Sequence, residues 1–443
     1  MRDLLLVSVF FPLLPFAFMY PWIGILVWSW ISYMSPHRLT FGFAYDMPFG
    51  MITALTTLVG MLFSREKKRL PRAPEVVFLL ALGAWVTITS FFAIHSDLAW
   101  DKWQQVGKIL LMTLATMMVC RDTGRLRYLT WTIAGSLGFY GVKSGVDVFL
   151  SGFSGSFSYP ADSFIADSND LALALDMILP LLWFMVRAET RRWRRYALHV
   201  AFGLTVIGIL TTYSRGGFIG LCVVLIFMFS KSRAKALSFA LLLLAGVLAV
   251  YVVPDTFFSR IETIASYDED QSAQQRLKAW SLATQIALDS PIVGGGFRVF
   301  EQDVWEQYFP GTERAIVAHS IYFQTLAEHG FVGLAIFVGL LIATYVGLRR
   351  VRRRATEADQ MMIANLAAAL QASLVGYMVA GAFLSRADFD LFYSVVAMSA
   401  GMQAVLARLA DEKDEPAASR AGGSEVDRAH AADPMRRASS APR

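Results

Sequence analysis

Ala318-His319-Ser320-Ile321-Tyr322-Phe323 runs on to Gly330-Phe331-Val332-Gly333 and then through an apolar stretch to Leu348. This reading puts a titratable imidazole at the mouth of a membrane helix. Just before it lies the only long polar segment of an otherwise apolar chain, residues 254–317. A histidine placed where hydrocarbon meets water has two readings. It can accept a proton from an incoming hydroxyl, or it can be one more interfacial group satisfied by water or a carbonyl.

Working outward, the composition supports the membrane setting. Of 443 residues, 56% are hydrophobic and 17% charged, and the mean hydropathy is +0.48. Soluble domains carry about 25% charged residues. Apolar runs long enough to cross about 30 Å of hydrocarbon recur through residue 409. The net charge of +5 comes from short clusters between these runs, a distribution that excludes a nucleic-acid-binding face. No cleavable leader is expected in the first 33 residues, and Cys120 and Cys222 fall inside predicted spans, where no structural disulfide is expected.

Five basic clusters fix an orientation: Arg65–Arg72, Arg121–Arg127, Arg187–Arg195, Lys231–Lys235 and Arg349–Arg354. The positive-inside rule assigns them to the cytoplasm. The segments that alternate with them, near 95–102, 151–170, 254–317 and 386–390, then face outward. Candidate spans are 46–63, 75–94, 103–120, 127–150, 170–187, 196–213, 216–230, 236–253, 320–348, 360–384 and 391–409. Residues 3–34 are interrupted by Pro12, Pro15 and Pro21, and form one kinked span or two short ones. The expectation is an all-α polytopic protein of twelve or thirteen transmembrane helices. Its regions are an N-terminal membrane region (1–195), helices with an outward Ser-Arg-Gly turn (196–253), a large outer loop (254–317), a C-terminal membrane region (318–410) and a disordered cytoplasmic tail (411–443). In the loop, Leu277, Trp280, Ala283, Thr284, Ala287 and Leu288 recur at helical spacing, which predicts an amphipathic helix broken by Pro291 and Gly294–Gly296.

Three positions stand out chemically. His319 is the candidate proton acceptor. His329, beside Glu328 and Gly330, reads as a structural histidine. Arg215 lies in Thr212-Tyr213-Ser214-Arg215-Gly216-Gly217, where the chain must reverse on the outer side. It either snorkels to headgroups or clamps phosphate oxygens in a fork, with the glycines letting amides approach. Arg276, four residues before Trp280, could complete a two-arginine grip on a pyrophosphate. Arg298, Arg314 and Tyr322 are secondary candidates. Asp268-Glu269-Asp270 is a poor metal site, and no Walker, dinucleotide or zinc pattern occurs, so neither metal nor cofactor is expected.

At this point a resemblance enters. His319-Ser320, nine residues, then Gly330-Phe331-Val332-Gly333 resembles the His-(Asn/Ser/Gln)-x9-Gly-x-x-Gly motif of the O-antigen ligase and polymerase superfamily. Thr212–Gly217 resembles its Ser-Arg-Gly element, and Gln275-Arg276-x-x-x-Trp280 with Pro291 and Gly294–Gly296 resembles its large periplasmic loop. Tyr33–Arg38 and Phe43–Asp46 further resemble the O-glycosylation ligases that accompany exosortase systems. The resemblance implies a GT-C-related, metal-independent inverting glycosyltransferase of the bacterial inner membrane. It would move a glycan from undecaprenyl diphosphate, the lipid-linked donor, to an acceptor hydroxyl of protein, lipid or glycan at the periplasmic face. His319 would match the catalytic histidine, and Arg215 and Arg276 the diphosphate-binding arginines. A polymerase of the same superfamily is the alternative, and a transporter or flippase the outsider, because ionisable residues gather at the outer face and no internal repeat is visible.

Overall fold

The computed structural model describes residues 1–151, 163–230 and 271–414. Among them there is no strand. The helices are α1 (Arg2–Met19), α2 (Pro21–Met34), α3 (Phe49–Phe63), α4 (Pro74–Phe91), α5 (Ser96–Val119), α6 (Thr123–Leu150), α7 (Ser168–Ala188), α8 (Arg192–Leu210), α9 (Arg215–Ser230), α10 (Gln271–Asp289), α11 (Gln302–Tyr308), α12 (Ile321–Glu357), α13 (Met361–Ala380) and α14 (Asp390–Asp414). The expected span 236–253, the cluster Lys231–Lys235, Asp268–Asp270 and the tail from 415 lie outside the described residues.

Proline settles the N-terminal ambiguity in favour of two helices. Pro21 has no N–H to donate and forces Tyr20 into an extended conformation (φ −126°, ψ 87°), so α1 stops there and α2 restarts with Pro21 in its first turn. Pro12 and Pro15 are accommodated inside α1. At 14 residues, α2 rises only about 21 Å, less than the hydrocarbon thickness. Pro74 starts α4 in the same way.

Helix α7 is the axis of the bundle. Residues 170–182 are nearly all buried, and α6, α8, α9 and α13 pack around them. Peripheral helices do the reverse: Leu62, Phe63, Val77, Phe91, Trp193, Tyr196 and Ile226 present apolar side chains outward. Such a continuous apolar exterior demands hydrocarbon rather than water. Six helices among the described residues are long and apolar enough to cross a membrane: α1, α4, α7, α12, α13 and α14. Helices α5, α6 and α8 are long but carry charges, at Asp101, Lys102 and Lys108 in α5 and at Arg192, Arg194 and Arg195 in α8.

Basic clusters collect at one end. Arg125 forks onto Glu66 at 2.7 and 2.8 Å, and Arg121 donates to the Arg69 carbonyl, so the first two clusters share a surface. There Glu75 accepts from Ser399 and Gln403, both at 2.7 Å, tying α4 to α14. The connections α4–α5, α8–α9 and α13–α14, together with the start of α7, lie at the opposite end, under α10 and α11.

Candidate active site

The site is organised by a break in α12. Its first turns, Ile321–His329, end at Gly330, whose φ of 69° and ψ of −173° are non-helical. The carbonyls orphaned there are taken up by the glycine run. The N–H of Gly295 donates to Ala327 at 2.8 Å and that of Gly296 to Glu328 at 2.9 Å, while Phe331 N–H reaches Pro291. Two glycines are obligatory here. A Cβ on Gly330 would sit 2.3 Å from the Ile292 carbonyl, and one on Gly294, itself at φ 67°, 2.6 Å from that of Ala327. Ile94 N–H donates to the Gly295 carbonyl, so the same loop also docks on the α4–α5 connection.

Against this junction the segment that holds α10 and α11 builds its own core. Ala279, Leu282, Ala283 and Ile286 of α10 pack with Val299, Phe300, Val304 and Trp305 and with Ala318 and Ala327. The amphipathic helix is therefore present, but rotated from the expected face: Leu277 and Leu288 are exposed and the small residues lie inward. Small residues let α10 approach closely, which a pattern of large apolar side chains does not reveal.

His319 sits two residues before α12, held from both sides. Its own N–H donates to the Ser385 side chain at 2.7 Å. The preceding carbonyl, of Ala318, accepts from Trp280 Nε1 at 2.8 Å, and the Trp280 ring stacks on Phe323 at 4.9 Å and 8°. These contacts hold a left-handed conformation, φ 45°, that costs a non-glycine residue about 1 kcal/mol. The imidazole is partly buried. Burial lowers its pKa below the usual 6.5, the Arg276 guanidinium lowers it further, and Asp167 opposes both. It is neutral at pH 7, as a proton acceptor must be.

Arg276 lies one turn before Trp280 on α10, with its charge felt at the His319 ring. Arg215 is the first residue of α9. Tyr213 takes a left-handed turn (φ 53°) and Ser214 caps the helix by accepting from Gly217 N–H at 3.0 Å. Gly216 lies against Phe383, where a Cβ would be 3.1 Å from that side chain's own Cβ, and Gly217 lies against Ala172. The loop that carries Phe383 also carries Ser385. The residue after Arg215, Gly216, and the backbone of His319 thus touch one loop two residues apart, at Phe383 and Ser385.

The secondary candidates are placed differently. Arg298 pairs with Glu301 at 2.8 Å and its N–H meets Glu328, so it braces its own loop. Arg314 is exposed. Tyr322 donates to the Met378 carbonyl at 3.0 Å, joining α12 to α13. His329 is buried; its Nδ1 lies 2.8 Å from Thr89 Oγ1 and its carbonyl accepts from Trp85, the structural role read for it.

The sequence marks 386–390 only as an outward-facing segment and does not reveal the partners of Arg386. Arg386 forks onto Asp170, and Lys102 pairs with Asp388 at 2.5 Å. Burial alone would raise the Asp388 pKa, yet the Lys102 charge and hydrogen bond and the Arg386 charge bring it below the ordinary carboxylate range. Burial works most strongly against the Arg386 charge, but Asp170, Asp388 and Asp167 together outweigh it and raise that pKa. Charged groups at span mouths are a readable signal; which of them pair is not. Among the described residues no three His, Cys, Asp or Glu side chains converge as a metal site.

Residues 200–338 match the family described as O-antigen ligase, the interval that holds Arg215, Arg276, His319 and the Gly330 break. This interval is thus a domain of the O-antigen ligase type, similar to the O-antigen ligase and polymerase superfamily. Residues 1–190 match a family of unknown function. The chain is also similar to the exopolysaccharide production protein ExoQ of Rhizobium meliloti (strain 1021). The two are 22% identical over 363 residues, covering 74% of this chain and 79% of that protein. It is a multi-pass membrane protein that carries an O-antigen-ligase-type domain.

Proposed function

We propose that this chain is a metal-independent glycosyltransferase. It moves a glycan from a polyprenyl diphosphate, undecaprenyl diphosphate in bacteria, to an acceptor hydroxyl at the periplasmic face of the inner membrane. The observation that carries the reading is the partly buried imidazole of His319, fixed at a helix mouth by the bond of its N–H to Ser385, with burial and the Arg276 charge both lowering its pKa. The His319 imidazole takes the acceptor's proton as its oxygen attacks the anomeric carbon. The bond from that carbon to the diphosphate breaks, and its electron pair leaves on the phosphate oxygen. Arg215 and Arg276 hold the diphosphate, whose negative charge grows as the bond breaks; guanidinium groups at a partly dehydrated interface stabilise that charge better than water does. General-base assistance contributes roughly 10²–10⁴ in rate. One attack assisted by one base inverts the anomeric centre.

The alternation of basic and acidic segments supports twelve or thirteen crossings with this site outward. The N-terminal Tyr33–Arg38 stretch supports placing the chain near the O-glycosylation ligases that accompany exosortases. A polymerase, whose acceptor is another lipid-linked repeat, is the second reading. It is favoured by the similarity to a protein of exopolysaccharide production. A deletion strain separates the two. Full-length lipid-linked chains that are never attached indicate ligation, single accumulated repeats indicate polymerisation, and unchanged glycans would contradict both.

A further inference from the structure

A second recess lies at the same end of the bundle and takes no part in the account above. It is a cavity of 370 Å³, lined by Lys102 and Gln105 of α5, Phe164 before α7, and Arg386, Asp388 and Asp390 at the α13–α14 connection. Its size falls within the roughly 300–1,000 Å³ of small-ligand sites. We infer that this cleft binds the terminal sugar of the acceptor and presents its hydroxyl to His319.

Charge decides what class of ligand fits. Lys102 is already bound to Asp388 and Arg386 to Asp170. A diphosphate here would face the carboxylates of Asp388 and Asp390, while the two cations of the lining are already engaged by Asp388 and Asp170, so the cleft repels the anion that Arg215 and Arg276 attract. A polyol is different. Carboxylate and amide oxygens accept from vicinal hydroxyls, the Gln105 amide also donates, and the partly exposed ring of Phe164, backed by the buried Phe389 at 5.3 Å, offers apolar surface to sugar C–H groups.

Position decides which sugar. The loop from Gly381 to Asp390 touches the start of α9 through Phe383, holds His319 through Ser385, and then forms the cleft wall from Arg386 onward. His319 is thus attached between the diphosphate side and the cleft. Asp167 acts electrostatically on both His319 and Arg386, in keeping with the loop connection between them. Calling the occupant an acceptor rests on the glycan-transfer reading; calling it a sugar does not.

The test uses full-length protein in lipid nanodiscs. Binding of oligosaccharides, released by mild acid from the surface polysaccharide of the strain that carries this chain, is followed by saturation-transfer NMR. Gln105→Ala and Asp390→Asn, which leave both ion pairs intact, should each weaken binding about tenfold, the effect of one lost hydrogen bond. Arg215→Ala should bind these sugars like wild type. In transfer assays the two cleft variants should raise the acceptor KM and leave the donor KM unchanged. Wild-type affinity in both cleft variants, no binding by wild type, or equal loss in Arg215→Ala would overturn the inference. Sugar binding that the cleft variants abolish, in a protein that transfers nothing from lipid-linked glycan, would uphold the cleft and remove the transfer reading instead.

Discussion

The backbone N–H of His319 donates to the side-chain oxygen of Ser385 across 2.7 Å, joining residues 66 positions apart. This bond fixes a left-handed residue at the point where two helices and a loop meet, and so aims the imidazole. Ser385→Ala should cost about 1 kcal/mol of stability and lower transfer about 10–100-fold by misplacing the base, with donor binding unchanged. Ser385→Thr keeps the acceptor and should restore most of the rate. Turnover and donor Kd measured on the three proteins check this; an equal loss in the threonine variant would contradict it.

Burial and Arg276 lower the His319 pKa while Asp167 raises it. The acid limb of kcat/KM should therefore lie below pH about 6.5, the midpoint of a free imidazole. Arg276→Ala should move that limb upward and Asp167→Asn downward. The stability linkage has the matching sign. Below about pH 6.5 the unfolded chain binds more protons at this histidine than the folded one, so the fold loses stability as pH falls, and Arg276→Ala lessens the loss. An acid limb that stays fixed in both variants would contradict the assignment.

At the helix break, Gly330→Ala should destabilise by on the order of 2 kcal/mol or more, because a left-handed conformation is compounded by a Cβ pressed on the Ile292 carbonyl. Gly135, in α6 with nothing within 4 Å of an added Cβ, is the control. There alanine should be neutral or stabilising by up to about 1 kcal/mol. Thermal melting in detergent reads both.

Removing either partner of the Arg386–Asp170 pair should cost about 3 kcal/mol, since an unpaired charge is left at a largely buried position. The double variant Asp170→Leu/Arg386→Met should recover most of that loss. Additive losses in a double-mutant melting cycle would show that the pair is not coupled.

The comparison of sequence with structure divides along physical lines. Local signals held. Proline marked the starts of α2 and α4, and the span expected at 170–187 is α7 at Ser168–Ala188. Glycine marked both the α12 break and the loop that docks on it. His319, Arg215 and Arg276 stand out in the sequence because an ionisable group beside an apolar run needs a reason; the roles given to them belong to the proposal. The inward face of α10 was read only in part: Ala283 and Ala287 are buried as expected, but Leu277 and Leu288 are exposed and Ala279, Leu282 and Ile286 lie inward instead. Asp170 and Arg386, 216 positions apart, were each visible as outward charges. Their pairing depends on packing α7 against the α13–α14 connection, which no one-dimensional pattern encodes.

The central claim is tested most directly by following glycan transfer from a purified lipid-linked donor with wild type and His319→Ala in the same nanodiscs, alongside donor affinity. The account predicts unchanged donor Kd and a rate lower by about 10²–10⁴ for the variant. Transfer at the wild-type rate, or a loss fully explained by weaker donor binding, would contradict it.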